Sequence, residues 1–292
     1  MYKDLFHPTH LQSLCKQYNL SPSKKYGQNY LITEAPIKKM IEAVDLKKND
    51  TVIEIGPGFG VLTFALAERA GRVIGLEIEK KLMGYWEERI KDQKIKRSKD
   101  YGDVEIIWGN ALNNLSLITY HLSPYKVIAN IPYQITSDLL RTLLELENKP
   151  ESITIMVQKE VAERICSHPG DMSLLAVSVQ YYGEPKIIAK VPRGCFWPSP
   201  KVDSAILHLT TRPPDHPTTF SDENFFRVVK AGFANKRKQL WGNLTRGLKI
   251  EDQKIKDLLI EIVGNEKVRA EELSVEQWKR IAKELFSNEI MK

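Results

Sequence analysis

The sequence predicts an open, doubly wound α/β domain with a mostly parallel sheet, followed by a small all-helical domain. Three observations carry this reading. Short β-branched apolar runs recur between residues 51 and 210, helical patterns fill most of the gaps between them, and a proline-rich stretch at 211–220 ends the alternation.

The elements follow in order. TVIEIG (51–56) is a β-branched run ending in glycine, and VLTFALAERA (61–70) continues with helical spacing. RVIGLEI (72–78) reads as the next strand, with a helix from Glu79 to about Ile90. VEIIW (104–108), YKVIAN (125–130) and SITIMVQ (152–158) supply further strands, and helices are expected over 135–147, 159–167 and 173–182. KIIAKV (186–191) and SAILHLT (204–210) have no helix between them, so they are expected to pair as an antiparallel edge. TRPPDHPTTF (211–220) holds three of the fifteen prolines and reads as a linker. Residues 222–288 read as helices only, including an amphipathic segment at 274–287. The expected division is therefore an α/β domain over 1–211 and a helical domain over 212–292.

Composition excludes several classes. With 42% hydrophobic and 27% charged residues in 292, the chain is neither disordered, collagenous nor coiled coil. Cys15, Cys166 and Cys195 form no CxxC pair, which argues against a disulfide framework or structural zinc and fits a reducing compartment. The N-terminus MYKDLFHPTH lacks the apolar core of a signal peptide, and no run of about 18 apolar residues occurs. The expectation is a soluble, cytoplasmic, monomeric protein with no membrane partner. Forty-three Lys and Arg against 37 Asp and Glu leave +6, a hint of a polyanionic partner.

The first strand runs into Glu54-Ile55-Gly56-Pro57-Gly58-Phe59-Gly60 and then directly into a helix. Glycines Gly56, Gly58 and Gly60 at a strand's carboxyl end let the backbone approach a ligand, and the helix start offers free N–H groups. Glu77 ends the second strand 21 residues after Gly56, where a Rossmann-type site needs a carboxylate for ribose hydroxyls. The G-P-G-F-G pattern has no third glycine where a dinucleotide's pyrophosphate expects one, and Glu54 adds a carboxylate suited to an ammonium. A zwitterionic nucleoside, S-adenosylmethionine, satisfies both features better than NAD.

The strand at 125–130 ends in Asn130-Ile131-Pro132-Tyr133. Asn130 offers a carbonyl acceptor, and Pro132 stiffens the turn and leaves a neighbouring carbonyl outside the sheet. Two acceptors aimed at an amino group would hold its hydrogens and direct its lone pair at a methyl group. Tyr133 supplies a flat face for a purine. Six scattered histidines without ligand spacing, and no Ser/His/Asp or Cys/His signature, fit a direct methyl displacement that uses neither metal nor covalent intermediate. Cys195 is read as a packing residue.

With these residues in view, the chain resembles the S-adenosylmethionine-dependent small-subunit ribosomal RNA adenine dimethyltransferases (KsgA/RsmA type). The carrying segments are KKYGQNYL (24–31), EIGPGFGVLT (54–63), GLEIEKKL (75–82), NIPYQITSDLL (130–140), VQKEVAERI (157–165), FWPSPKVDSAI (196–206) and FANKRKQLWGNL (233–244). The resemblance implies a Rossmann-like class I methyltransferase domain, and it implies that Gln28, Asn29 and Leu31 close over the methyl donor. It implies further that Gly56 begins the donor loop, Glu77 binds the ribose, Asn130 to Tyr133 hold the target adenine with Asn130 also a donor-binding residue, and Phe196 stacks on the adenine's other face. The implied reaction adds two methyl groups to the exocyclic amine of each of two adjacent adenosines near the 3′ end of small-subunit rRNA. The implied partner is rRNA of the immature subunit, with a role in ribosome biogenesis. One departure stands out: Asn110 occupies the place of the family's usual aspartate against the donor's adenine. Its amide carbonyl can accept the same bond without charge, so weaker donor binding is expected.

Residues 212–249 carry a surplus of +5, and Lys236-Arg237-Lys238 beside Trp241 suits phosphate contact with stacking. Two other functions remain open. The Erm-type large-subunit rRNA methyltransferases share an N-I-P-Y-like turn, although VQKEVAERI and FWPSPKVDSAI favour the small-subunit enzymes. A non-catalytic assembly or transcription factor on the same scaffold is the alternative of a different class.

Overall fold

Strand formation follows burial on both faces. The structure, a computed structural model, describes residues 2–21, 29–95, 101–122, 124–212 and 221–286. Its strands are β1 (Tyr30–Leu31), β2 (Thr51–Ile55), β3 (Arg72–Glu77), β4 (Asp103–Trp108), β5 (Lys126–Asn130), β6 (Ser152–Gln158), β7 (Gly183–Val191), β8 (Phe196–Trp197) and β9 (Ser204–Thr211). Helices α1 (Pro8–Gln17), α2 (Glu34–Val44), α3 (Val61–Ala67), α4 (Met83–Ile95), α5 (Ala111–Thr119), α6 (Thr136–Glu145), α7 (Lys159–Ile165) and α8 (Leu174–Tyr182) are threaded between them. Helices α9 (Asp222–Gly232), α10 (Leu240–Leu248), α11 (Asp252–Val263) and α12 (Val275–Phe286) close the chain. β2 and β6 are buried along nearly their whole length, which explains why they read as continuous apolar runs instead of alternating ones.

The main sheet has seven strands in the order β4-β3-β2-β5-β6-β9-β7. β2 pairs in parallel with β3 and β5, β3 with β4, and β5 with β6. The chain winds outward through β3 and β4 on one side of β2, then returns to start β5 on the other. The loops after β2 and β5 therefore diverge, and the crevice between them is where an open α/β sheet binds its ligand. β9 runs antiparallel to β6 with Ser204 opposite Gln158, so its first residue lies at the same edge as the carboxyl ends of β5 and β6. β7 and β9 are neighbours at the sheet edge, as the sequence suggests.

All seven strands expected from the sequence are present, with ends shifted by at most three residues. The sequence reading did not place α1, α2, α5 or the short ribbon in which β1 pairs antiparallel with β8. α2 did carry a signal, since its buried Ile37, Met40 and Val44 fall at helical spacing. β1 and β8, two residues each, are too short to show any period.

The chain divides into two units, residues 1–162 with 185–211, and residues 163–184 with 212–292. The first has a core that includes Phe59, Phe64, Tyr85 and Trp86 on the α3–α4 side of the sheet. The second packs α8 to α12 around Trp278, Phe225, Leu244 and Leu259, all fully buried, with Tyr181 stacked on Phe225 at 4.0 Å between centroids. Residues 163–184, which the sequence reading placed with the α/β domain, thus belong to the helical unit. In α8 (LLAVSVQYY), Ala176, Val177 and Val179 are buried, and Ala176 and Val177 join the core of the helical unit. Among the described residues no helix is long and apolar enough to cross a membrane.

Candidate active site

The turn after β2 is built on backbone that only glycine adopts easily. Gly56, Gly58 and Gly60 have φ of +73°, +55° and +86°. Gly60 caps α3, and a Cβ there would lie 2.7 Å from the Trp86 ring, so the position excludes any side chain. A Cβ on Gly58 would press on the Tyr30 ring at 3.3 Å. Helix α4 pins the turn from behind: Trp86 Nε1 donates to the Gly58 carbonyl at 3.0 Å and the Tyr85 hydroxyl to the Phe59 carbonyl at 2.7 Å.

Two buried carboxylates flank this turn. Glu77, at the end of β3, accepts from the Gly58 N–H at 2.9 Å and the Glu79 N–H at 2.8 Å. Burial pushes its carboxyl above the usual range, while those backbone donors pull the other way. Glu54 is 2% exposed, and its Oε2 has no hydrogen-bond partner. Burial pushes its pKa up to about 8; the adjacent Thr63 hydroxyl opposes the shift and the Glu77 charge adds to it. An unpartnered buried carboxylate oxygen costs free energy unless a cation or donor meets it.

β4 delivers Asn110, which caps α5 by accepting from the Leu112 N–H at 3.1 Å. β5 delivers Asn130, whose Nδ2 donates to the Asn29 carbonyl at 3.1 Å. That bond fixes the amide's orientation and leaves Oδ1 as its remaining acceptor. Pro132 opens a 3-10 turn, Tyr133–Ile135, closed by the Ile135 N–H on the Pro132 carbonyl at 3.2 Å. The half-buried Tyr133 meets Ser204 Oγ with its hydroxyl at 2.6 Å, and burial raises its phenol pKa.

Glu54, Gly56, Gly58, Glu77, Asn110, Asn130, Pro132 and Tyr133 all line one cavity of about 240 Å³. Asn29, Tyr30 and Leu31 form another part of its wall, together with Leu5 and Leu11 from the N-terminal segment. Ten of the site residues expected from the sequence therefore share one cavity. Gly60 sits behind it as the α3 cap. Gln28 lies outside the described residues. Phe196, expected to stack on the target base, does not line the cavity: it is 3% exposed in the apolar core, and its backbone pairs with Leu31. Tyr30, Leu5, Leu11 and Ser204 escaped the sequence reading. Lys236, Arg237 and Lys238 lie in the helical unit, exposed in the turn between α9 and α10. Asn243, 3% exposed, braces that turn by donating to the Gly232 carbonyl at 2.7 Å and the Asn235 carbonyl at 3.0 Å.

The chain matches the family Ribosomal RNA adenine dimethylase over residues 19–287. It is 40% identical over 278 residues to the ribosomal RNA small subunit methyltransferase A of Dehalococcoides mccartyi, covering 95% of this chain and 93% of that protein. To the protein of the same name in Lactiplantibacillus plantarum it is 36% identical over 285 residues, covering 94% of each. Among solved structures it resembles a 23S rRNA methyltransferase, ErmE, with a TM-score of 0.68, 27% identity, and coverage of 88% of this chain and 99% of that one. A dimethyladenosine transferase from Plasmodium falciparum shares the fold with a TM-score of 0.72, 24% identity, and coverage of 88% and 97%. The family match takes in the glycine turn, the N-I-P-Y turn and the helical unit together, and the chain belongs to the ribosomal RNA adenine dimethylase family.

Proposed function

We propose that this rRNA adenine methyltransferase uses S-adenosylmethionine to dimethylate the exocyclic amine of two adjacent adenosines near the 3′ end of small-subunit rRNA, during assembly of the subunit. The observation that carries the reading is the Asn130 amide, tied through its nitrogen to the Asn29 carbonyl so that only its oxygen is left to accept. An aromatic amine is a poor nucleophile because its lone pair is delocalised into the ring. An acceptor on each N–H favours a pyramidal nitrogen, and catalysis then rests on positioning and not on a strong base. Asn130 Oδ1 takes one hydrogen, the Ile131–Pro132 backbone takes the other, and the Tyr133 ring supports the base by stacking.

The cavity fits the methyl donor. Glu54 Oε2, buried and unpartnered, suits an ammonium; the glycine turn leaves room for close backbone approach; Glu77 retains acceptor capacity for ribose hydroxyls. When bound, the donor supplies an electrophilic methyl group on a sulfonium. Tyr30 and Leu31 shield the site from water, and Asn110 has a lone pair beyond its helix-cap bond for the donor's adenine. In this conformation Phe196 supports the β1–β8 ribbon from within the core, so Tyr133 is the stacking face proposed for the target base. Lys236, Arg237 and Lys238 are proposed to hold rRNA phosphates, with residues 212–292 acting as the RNA-holding part of the chain.

The small-subunit substrate is favoured over the large-subunit one by the relatives at 36–40% identity that carry the small-subunit name, against 27% to ErmE. Asn130→Ala tests the site. It should lose methylation by about 100-fold or more with folding intact; wild-type turnover in that variant would refute the assignment.

A further inference from the structure

We infer that Ser204 is a positioning residue for methyl transfer: its hydroxyl fixes the ring of Tyr133, and through the ring the plane in which the target base stacks. The inference rests on the reading of the N-I-P-Y turn as the target-base site.

The sheet topology brings these residues together. β9 is antiparallel to β6, so its chain enters at the edge where β5 and β6 leave, and Ser204 is its first residue. Seventy-one positions from Tyr133 in sequence, the Ser204 Oγ lies 2.6 Å from the phenol oxygen, and Ser204 is fully buried. A fully buried hydroxyl with a short bond to one partner is held in a single rotamer. It transmits that order to a ring whose one strong polar tether is at its far end.

The anchor is itself braced. The Asp203 carbonyl accepts from the Lys159 N–H at 3.0 Å, which ties the start of β9 to the exit of β6. The Asp203 carboxylate accepts from the Arg193 N–H at 2.9 Å, which ties it to the turn that leads into β8. Asp203 also raises the phenol's pKa, after burial and against the pull of the Ser204 bond, so the phenol stays protonated and can serve as donor or acceptor. The 3-10 turn that carries Tyr133 is three residues long and has no side-chain cap. Without Ser204 the ring would keep its place beside the cavity but lose its fixed tilt. The amine would then depart from the line of methyl transfer, while Glu54 and Glu77, proposed to hold the donor, make no hydrogen bond to Ser204 and would keep their places.

The test uses the full-length protein with unmethylated small subunits. Ser204→Ala should lower kcat about tenfold, the worth of one buried hydrogen bond, with donor affinity within about twofold of wild type. Tyr133→Phe should do the same, and the double variant should lose no more than either single one. Thr154→Val controls for stability: it removes a fully buried hydroxyl on neighbouring β6, bonded at 2.8 Å to His208 Nδ1 and outside the site, and should leave kcat unchanged. Wild-type kcat in Ser204→Ala, multiplying losses in the double variant, or an equal loss in Thr154→Val would each overturn the inference. A readout that needs no chemistry separates it from the proposed function. In protein labelled with 3-fluorotyrosine, the Tyr133 fluorine resonance, assigned by its absence in Tyr133→Phe, should shift or broaden in Ser204→Ala. An unchanged resonance refutes the tether even if no methylation is seen. A lack of label with the wild-type protein refutes the proposed function alone.

Discussion

At the scale of the residue, Glu54 sets the most exacting test. Its pKa stands near 8 against an ordinary 4.5, because burial removes the water that would solvate its charge. A carboxyl raised in this way keeps its proton in the folded state at pH values where the unfolded chain has released it. Stability of the free protein should therefore fall as pH rises from about 4.5 to about 8 and level off above. Glu54→Gln should flatten that slope and stabilise the free protein at pH 8, as read by denaturant unfolding at several pH values, while weakening donor binding. Donor binding by the wild type at pH 7 should release a proton, because an ammonium beside Glu54 favours the charged carboxylate; calorimetry in buffers of different ionisation enthalpy reads this directly. Glu54, Glu77, Asn130 and Tyr133 were legible in the sequence because each stands where an apolar strand breaks off. The partners that orient them were not: Asn29 lies 101 positions from Asn130, and Ser204 lies 71 from Tyr133. No local pattern encodes a contact made by sheet order.

Among the elements, the glycine turn and β1 of the β1–β8 ribbon both line the site, with the Tyr30 ring against Gly58. Gly60→Ala would place a methyl against Trp86 in left-handed backbone, with an expected loss of roughly 2–4 kcal/mol and a lowered Tm. The ribbon was invisible to sequence reasoning because two-residue strands have no period, yet it carries Tyr30 and Leu31 into the cavity wall and holds Phe196 in the core. Helix α8 shows a different limit. Its pattern was read correctly as helix, but periodicity does not say which core an apolar helix joins, and it packs with α9 through Tyr181 and Phe225. In the helical unit, Asn243→Ala removes both bonds that brace the 233–239 turn. It should cost about 1–3 kcal/mol of stability and weaken RNA binding, with donor affinity unchanged.

For the molecule as a whole, the net charge of +6 is not spread evenly. Residues 212–249 hold a surplus of +5, so the remaining chain is close to neutral. If this stretch holds rRNA phosphates as proposed, RNA affinity should be salt-dependent. Replacing Lys236, Arg237 and Lys238 together with alanine should weaken binding to rRNA of any sequence and reduce the slope of log affinity against log salt by about 2, measured by filter binding across a salt series. The α/β architecture was legible from strand–helix alternation, whereas the grouping of residues 163–184 with the C-terminal helices was not, since it depends on packing between segments far apart in sequence. The central claim is the proposed reaction at the donor cavity and the N-I-P-Y turn. It is tested most directly by incubating the protein with isotope-labelled S-adenosylmethionine and unmethylated ribosomal subunits, then mapping the label. Dimethyladenosine at two adjacent positions near the 3′ end of small-subunit rRNA is the expected result; label confined to large-subunit rRNA, or none in either, would contradict it.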